Sequence, residues 1–210
     1  MKTRITIFLL TIAACLSAFA QSAHTLLDTA VEKIQKSTGI EAQFSLNILH
    51  HGNESGTVEG TLLLKGEQFC IDTPETIVWF DGTTEWNYVK NSDEVNISNP
   101  EANELNSINP VALLSLYQQG YTATLGTQSQ YRGTAIHKVV LTATEGQNIQ
   151  QVVVYLKKNS LEPMRIHVKQ SDGIEAEALL KHYSDNKNLP EESFKFPKQH
   201  YPTAEVIDLR

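Results

Sequence analysis

Cysteine is nearly missing from this chain: Cys15 and Cys70 are the only two in 210 residues. That leaves no disulfide framework to hold the fold, so a packed core must do it. A basic excess is missing too. Seventeen Lys and Arg stand against 24 Asp and Glu, a formal charge of −7, which argues against nucleic acid and against electrostatic docking on anionic lipid. The seven histidines show no i, i+4 pair and no neighbouring cysteine cluster, so no metal site is expected. There is no G-x-S-x-G elbow, no P-loop and no dinucleotide-binding glycine fingerprint, and the glycines mark turns instead. No catalytic residue and no cofactor is expected. Beyond the first twenty residues there is also no apolar run long enough to span a membrane.

Those first twenty residues read as a secretory signal peptide. Lys2 and Arg4 form a basic start, Ile5 to Ala14 is apolar, and Ala18-Phe19-Ala20 is an A-x-A cleavage site before Gln21. Ile12-Ala13-Ala14-Cys15 resembles a bacterial lipobox, which would make Cys15 a lipidated N-terminus, but Leu16 to Ala20 carries the apolar run past it. Cleavage after Ala20 gives an exported, periplasmic domain of residues 21–210. It has lost Lys2 and Arg4 and carries a net charge of −9.

Within it, Leu27, Val31 and Ile34 fall on one face of a helix over Ser22 to Thr38, which Ser22 caps and Gly39 stops. From Ile40 the period becomes two, apolar Ile40, Ala42, Phe44, Leu46 and Ile48 alternating with polar neighbours. Strands follow over Thr57 to Lys65, Gln68 to Asp72, Thr76 to Val89 as a hairpin, and Glu94 to Ser98. Asn109-Pro110 opens a second helix, apolar nearly all round, that Gly120 ends. Five more strands run from Tyr121 to Tyr183. Nine or ten strands and two helices result. The tail from Phe194-Lys195-Phe196-Pro197 to Val206-Ile207-Asp208-Leu209 reads as a closing segment along the sheet.

The hairpin holds both tryptophans, Trp79 and Trp86, on either side of Asp81-Gly82. A two- or four-residue loop puts both on one face, while a three-residue loop joins Val78 and Phe80 to Trp86 and Tyr88. One face is heavily aromatic in either register. The fold class expected is mainly β (α+β): one large antiparallel sheet, curled into an unclosed barrel, with the two helices as a lid over an apolar interior. Glu175 and Glu177 share one strand face as a glycosidase pair would, although an exposed strand favours a solvated role for them. Cys70, between Phe69 and Ile71, reads as a buried small hydrophobe.

This order of parts resembles the LolA-type periplasmic carriers of outer-membrane lipoproteins. The matching pieces are the signal peptide and first helix, the strand around Phe44, Asp81-Gly82 with Trp86 and Tyr88, Asn109-Pro110 with its leucine helix, and the Phe194-to-Leu209 tail. The resemblance implies a monomer with a hydrophobic cavity that shields lipoprotein acyl chains. Its partners would be the lipoproteins' lipid moiety, an inner-membrane lipoprotein-releasing transporter and an outer-membrane acceptor. Phe44, Leu46, Leu62, Leu64, Phe69, Ile71, Phe80, Trp86 and Tyr88 are the candidate cavity residues. Leu113, Leu114, Leu116 and Tyr117 are the candidate lid. The alternative on the same fold is a lipid- or lipoprotein-sensing regulatory module of the envelope, and a hydrolase using Glu175, Glu177 and His50 is a third reading. One departure stands out. Many proteobacterial members carry an arginine on the third strand that holds the lid shut, whereas this chain reads Leu64-Lys65-Gly66-Glu67-Gln68-Phe69, and Lys65 lacks the guanidinium fork.

Overall fold

A computed structural model describes residues 23–105 and 109–210. The expected signal peptide, the lipobox and the Ser22 cap lie outside the described residues. A first helix, α1, covers residues 23–36. Ala23, Leu27, Ala30 and Ile34 are its buried face, the three- and four-residue spacing that lines one side of a helix. Gly39, which follows, packs its bare Cα against the Lys187 carbonyl and the Leu189 side chain, where a Cβ would lie 2.4 Å from the oxygen.

Thirteen strands form one sheet among the described residues, more than the nine or ten expected. They are β1 Ile40–His50, β2 Asn53–Lys65, β3 Gln68–Asp72, β4 Thr76–Phe80, β5 Glu85–Val89 and β6 Glu94–Ser98, then β7 Tyr121–Leu125, β8 Gln130–Tyr131 and β9 Thr134–Ala143. The last four are β10 Ile149–Lys157, β11 Pro163–Gln170, β12 Ile174–Ser184 and β13 Glu205–Asp208. The order is β13-β6-β5-β4-β3-β2-β1-β12-β11-β10-β9-β7, with β8 paired to β9. β13 and β7 are edges, so the barrel stays open, and a sheet this wide curls because its strand twists accumulate. All neighbours are antiparallel except β13, which runs parallel to β6. The closing segment therefore joins the sheet as a strand.

Between β6 and β7 the chain makes two short helices, α2 over Ala102–Leu105 and α3 over Pro110–Leu114, and a 3-10 turn at Leu116–Gln118. The second helix is thus broken at Ser115, where a single ten-residue helix was expected. Asn109 caps α3 as its position implies: its carboxamide oxygen accepts from Val111 N at 2.9 Å and Ala112 N at 3.4 Å.

The aromatic hairpin has the four-residue loop. Trp79 pairs with Trp86 and Phe80 with Glu85, leaving Asp81 to Thr84 as the turn. The Asp81 carboxylate accepts from Thr83 N at 3.0 Å and Thr84 N at 2.9 Å, while Gly82 takes a φ of +101° that a side chain would resist.

Two apolar layers result. The concave face packs on α1 and α3, and its core includes Leu27, Ile34, Ile40, Leu64, Phe69, Phe80, Leu114 and Leu116. The convex face of β3 to β6 carries Cys70, Ile77, Trp79, Tyr88 and Val95, covered by Phe194, Phe196, Tyr201 and Ala204 from the C-terminal segment. Trp79 meets Phe196 edge-on at 5.6 Å, and Tyr88 lies 4.5 Å from Tyr201. Burial pushes the Cys70 thiol up to about 12, Asp72 adding to the effect, which keeps it protonated and inert.

Polar bonds tie the same segment down. Lys65 Nζ donates to the Leu189 carbonyl at 3.1 Å and to Glu191 at 2.7 Å, and Gln68 reaches Glu191 at 2.8 Å. Asp93 accepts from Tyr88 at 2.8 Å and Thr203 at 2.7 Å. The Thr203 and Tyr88 hydroxyls hold the Asp93 carboxyl below the usual carboxylate range, and Lys65 and Gln68 do the same for Glu191.

A folded-state pKa below the unfolded value stabilises above the ordinary carboxylate range and ceases to do so as pH falls through the depressed values. Acidification below about pH 4 is therefore expected to loosen residues 187–204 before the strands, read as early proteolytic cleavage there. Phe194 is fully buried, and Phe194→Ala should cost about 3–5 kcal/mol in denaturant unfolding.

Candidate binding cavity

The concave face leaves an unfilled space of about 320 Å³, within the range of small-ligand sites. Its walls are Ile40, Phe44 and Leu46 from β1, Leu62 and Leu64 from β2, Ile71 from β3 and Val78 from β4. Pro163, Ile166 and Val168 of β11 face them, with Ala176, Ala178, Leu180 and Tyr183 of β12; Ile34 of α1 and Leu113 of α3 close one end. The strand registers explain this set: Phe44 pairs with Leu180 and Leu46 with Ala178, while Ile166 also pairs with Ala178. With a period of two, these residues share one face.

No charged side chain lines the space. The Thr73 hydroxyl, at the turn after β3, is engaged with Thr76 at 3.0 Å. The Tyr183 phenol is pushed well above its usual range by burial, then by Asp185 and Glu162, so it stays neutral. Beyond Val78 the concave face turns polar: Asn87 pairs with Val78 and with Asn96, and Glu85 with Phe80 and Ser98. That change of character bounds the apolar surface at β4.

Of the nine expected cavity residues, Phe44, Leu46, Leu62, Leu64 and Ile71 line the space. Phe69 and Phe80 lie on the same face, their rings tilted against each other at 5.2 Å behind the lining, and are solid core. Trp86 and Tyr88 are a correction: they belong to the convex layer under the C-terminal segment. The four-residue loop decides this, since it puts Trp86 opposite Trp79, one residue out of step with the inward Val78 and Phe80. Sequence reasoning missed the far wall, Ile166, Val168, Ala176, Ala178 and Leu180. Its signal was the continued alternation in β11 and β12, and what it lacked was the pairing of β12 with β1.

Of the lid candidates, Leu113 faces the space, whereas Leu114 and Leu116 are buried at 0 % and 1 % exposure in the core beneath. Tyr117 stacks on His24 at 4.9 Å and donates to the Asp28 carboxylate of α1. At the other end Asn109 Nδ2 donates to the Glu67 carbonyl in the β2–β3 turn at 3.4 Å. Lys65, in the arginine's place, points to the convex side and serves the C-terminal segment. The α3 segment is thus held by neutral donors at its two ends.

Other candidates resolve as structure. Glu177 pairs with Arg165, and Glu175 with His167 at 3.0 Å and Lys169 at 3.4 Å, across β11 and β12. His50 sits edge-on to His51 at 4.4 Å at a hairpin tip. Neither these carboxylates nor His50 lines the concave-face cavity. Among the described residues no group of three His, Cys, Asp or Glu is placed to hold a metal ion.

The sequence pattern of the family described as outer membrane lipoprotein carrier protein LolA matches residues 14–172, well over half of the chain. The chain belongs to this LolA family. The match ends before β12, which supplies one wall of the cavity. An uncharacterised conserved protein from Thermus thermophilus shares the fold, with a TM-score of 0.61 at 16% identity over 89% of this chain and 99% of that one. A putative outer membrane lipoprotein-sorting protein domain from Vibrio parahaemolyticus gives 0.49 at 11% identity, over 87% and 99% of the two chains. A LolA superfamily protein from Nitrosomonas europaea gives 0.48 at 11%, over 83% and 97%. No curated protein sequence matches the chain. Among the described residues of this LolA-family chain no helix is long and apolar enough to cross a membrane.

Replacing Asn109 by Ala removes the α3 cap and the tie to Glu67, and should cost about 1 kcal/mol. Hydrogen exchange should quicken across residues 110–118 and stay unchanged in β1 and β12.

Proposed function

We propose that this LolA-family chain is a periplasmic carrier that takes lipoprotein acyl chains into the β1–β12 cavity and shuttles them towards the outer membrane. The observation that carries the reading is the lining: an uncharged, apolar space with a polar boundary, in a family of lipoprotein carriers. A free acyl chain in water is penalised by about 0.8 kcal/mol per methylene, so transit needs such a shelter. Release needs the shelter to be reversible. The α3 segment meets that need, because among the described residues it is tied to the β2–β3 turn by an amide hydrogen bond worth about 1 kcal/mol and to α1 by a phenol–carboxylate bond worth about 1.5–3 kcal/mol. An inner-membrane transporter that loads the cavity and an outer-membrane acceptor that empties it are the partners this function requires.

The test is to incubate the exported protein with inner membranes that bear both the lipoprotein-releasing transporter and a triacylated lipoprotein, and to look for a soluble one-to-one complex. The complex is expected with the native chain and should weaken at least tenfold with Leu46→Glu, which puts an unpaired charge in the lining. Trp86→Ala, on the convex face, should leave it unchanged. Capture of a free lipopeptide with no extraction from membranes would overturn the shuttle and favour the sensing module.

A further inference from the structure

We infer that the cavity, in the closed form seen here, is a one-chain site for an alkyl tail of about ten carbons whose polar head stays outside, and that Ala178 and Phe44 set that limit. This rests on the carrier reading and narrows it to the resting cavity: the several chains of a triacylated anchor need the further space that displacement of the α3 segment would open. A methylene occupies about as much room as a water molecule in the liquid, ~30 Å³, so 320 Å³ holds about ten such groups. The space runs from Ile40 to Leu46 along β1, a stripe of roughly 20 Å at ~3.3 Å per residue. An extended ten-carbon tail, roughly 12 Å long from its C–C bond lengths, lies within that stripe, and the volume it takes leaves no room for a second tail beside it.

The direction of entry follows from burial. Ile34, Ile40, Leu64 and Leu113, at the helix end, are 1–7 % exposed, while Leu46, Val168 and Ala176 at the other end are only half-buried. The tail's methyl end therefore points to α1 and α3, and the head emerges near the β1–β2 and β11–β12 hairpins. No cation or anion inside would compensate a charged head, which keeps it in water.

Two positions set the bore. On β12 the inward residues change from Leu180 to Ala178 and Ala176 towards the open end, and Ala178 lies between Leu46 and Ile166, so its missing side chain is the passage. Phe44 forms the wall at mid-length. Its ring lies across β2 over Gly60, where a Cβ would stand 2.5 Å from the ring and 2.6 Å from the Asp72 carbonyl. Glycine at 60 thus gives the ring its seat.

The experiment measures binding of n-alkyl maltosides, below their micelle-forming concentrations, to the exported protein by calorimetry and native mass spectrometry. Tails run from about six to about fourteen carbons, and each added methylene should tighten binding about fourfold until about ten carbons, then add little. One maltoside should bind per protein. Phe44→Ala should move the plateau outwards by roughly two or three carbons, in keeping with the volume removed. Ala178→Phe should weaken every tail at least tenfold while circular dichroism and the melting temperature show an intact fold. Affinity that climbs steadily past fourteen carbons, two maltosides per protein, or a folded Ala178→Phe protein that binds normally would overturn the one-chain limit and leave the carrier reading standing. No binding at any length would overturn both.

Discussion

A strand's side chains point alternately to opposite faces, and in β2, β3 and β4 both faces are apolar. The inward set, Leu62, Leu64, Phe69, Ile71, Val78 and Phe80, meets α1, α3 and the cavity. The outward set, Leu63, Cys70, Ile77 and Trp79, needs a cover of its own. Residues 189–204 supply that cover, and they can do so only because the sheet is open and its convex side is free. Burial on both faces is what holds a disulfide-free chain together. It also separates two tasks: the convex layer is packed solid around Phe194, and the concave layer is left short of side chains at Ala176 and Ala178. Stability and capacity are thus placed on opposite sides of the same strands.

The charges follow the same division. The convex surface of β11 and β12 carries Arg165, His167 and Lys169 against Glu175 and Glu177. These pairs are partly exposed and add little to stability, and none of their charges lines the cavity. On the concave side the first polar residues come at β5 and β6, where Glu85 and Asn87 end the apolar surface. The Glu85 carboxyl is pushed up by burial and by Glu104, so charge is disfavoured where the polar boundary begins.

The segment proposed as a lid is held differently from the lid that the family resemblance implied. In place of one cation binding the helix, the segment from Asn109 to Gln118 is pinned at its ends, to Glu67 by an amide and to Asp28 by a phenol. Between them Leu114 and Leu116 sit in the core and only Leu113 reaches the cavity. In the proposed carrier this short segment would open by pivoting. Its main resistance is the burial of two leucines, because a hydrogen bond broken at either end is replaced by one to water.

Much of this was legible in the sequence. The period-two runs determined the strands, the 3.6-residue spacing determined α1, and Asn109-Pro110 determined where α3 starts, because these are local constraints of backbone and capping. Phe44, Leu46, Leu62, Leu64 and Ile71 were recognisable as one inward set for the same reason. The sequence left open which way the aromatic hairpin faces, since Asp81-Gly82 permits loops of different length, and one residue of loop exchanges Trp86 and Tyr88 between the two layers. It was silent on the far wall, because β12 reaches β1 across more than a hundred residues and no local pattern encodes that pairing. The sequence by itself determined that the chain would build a two-faced sheet with a helical cover. Tertiary structure alone decided which face is filled and which is hollow, because packing depends on which strands become neighbours.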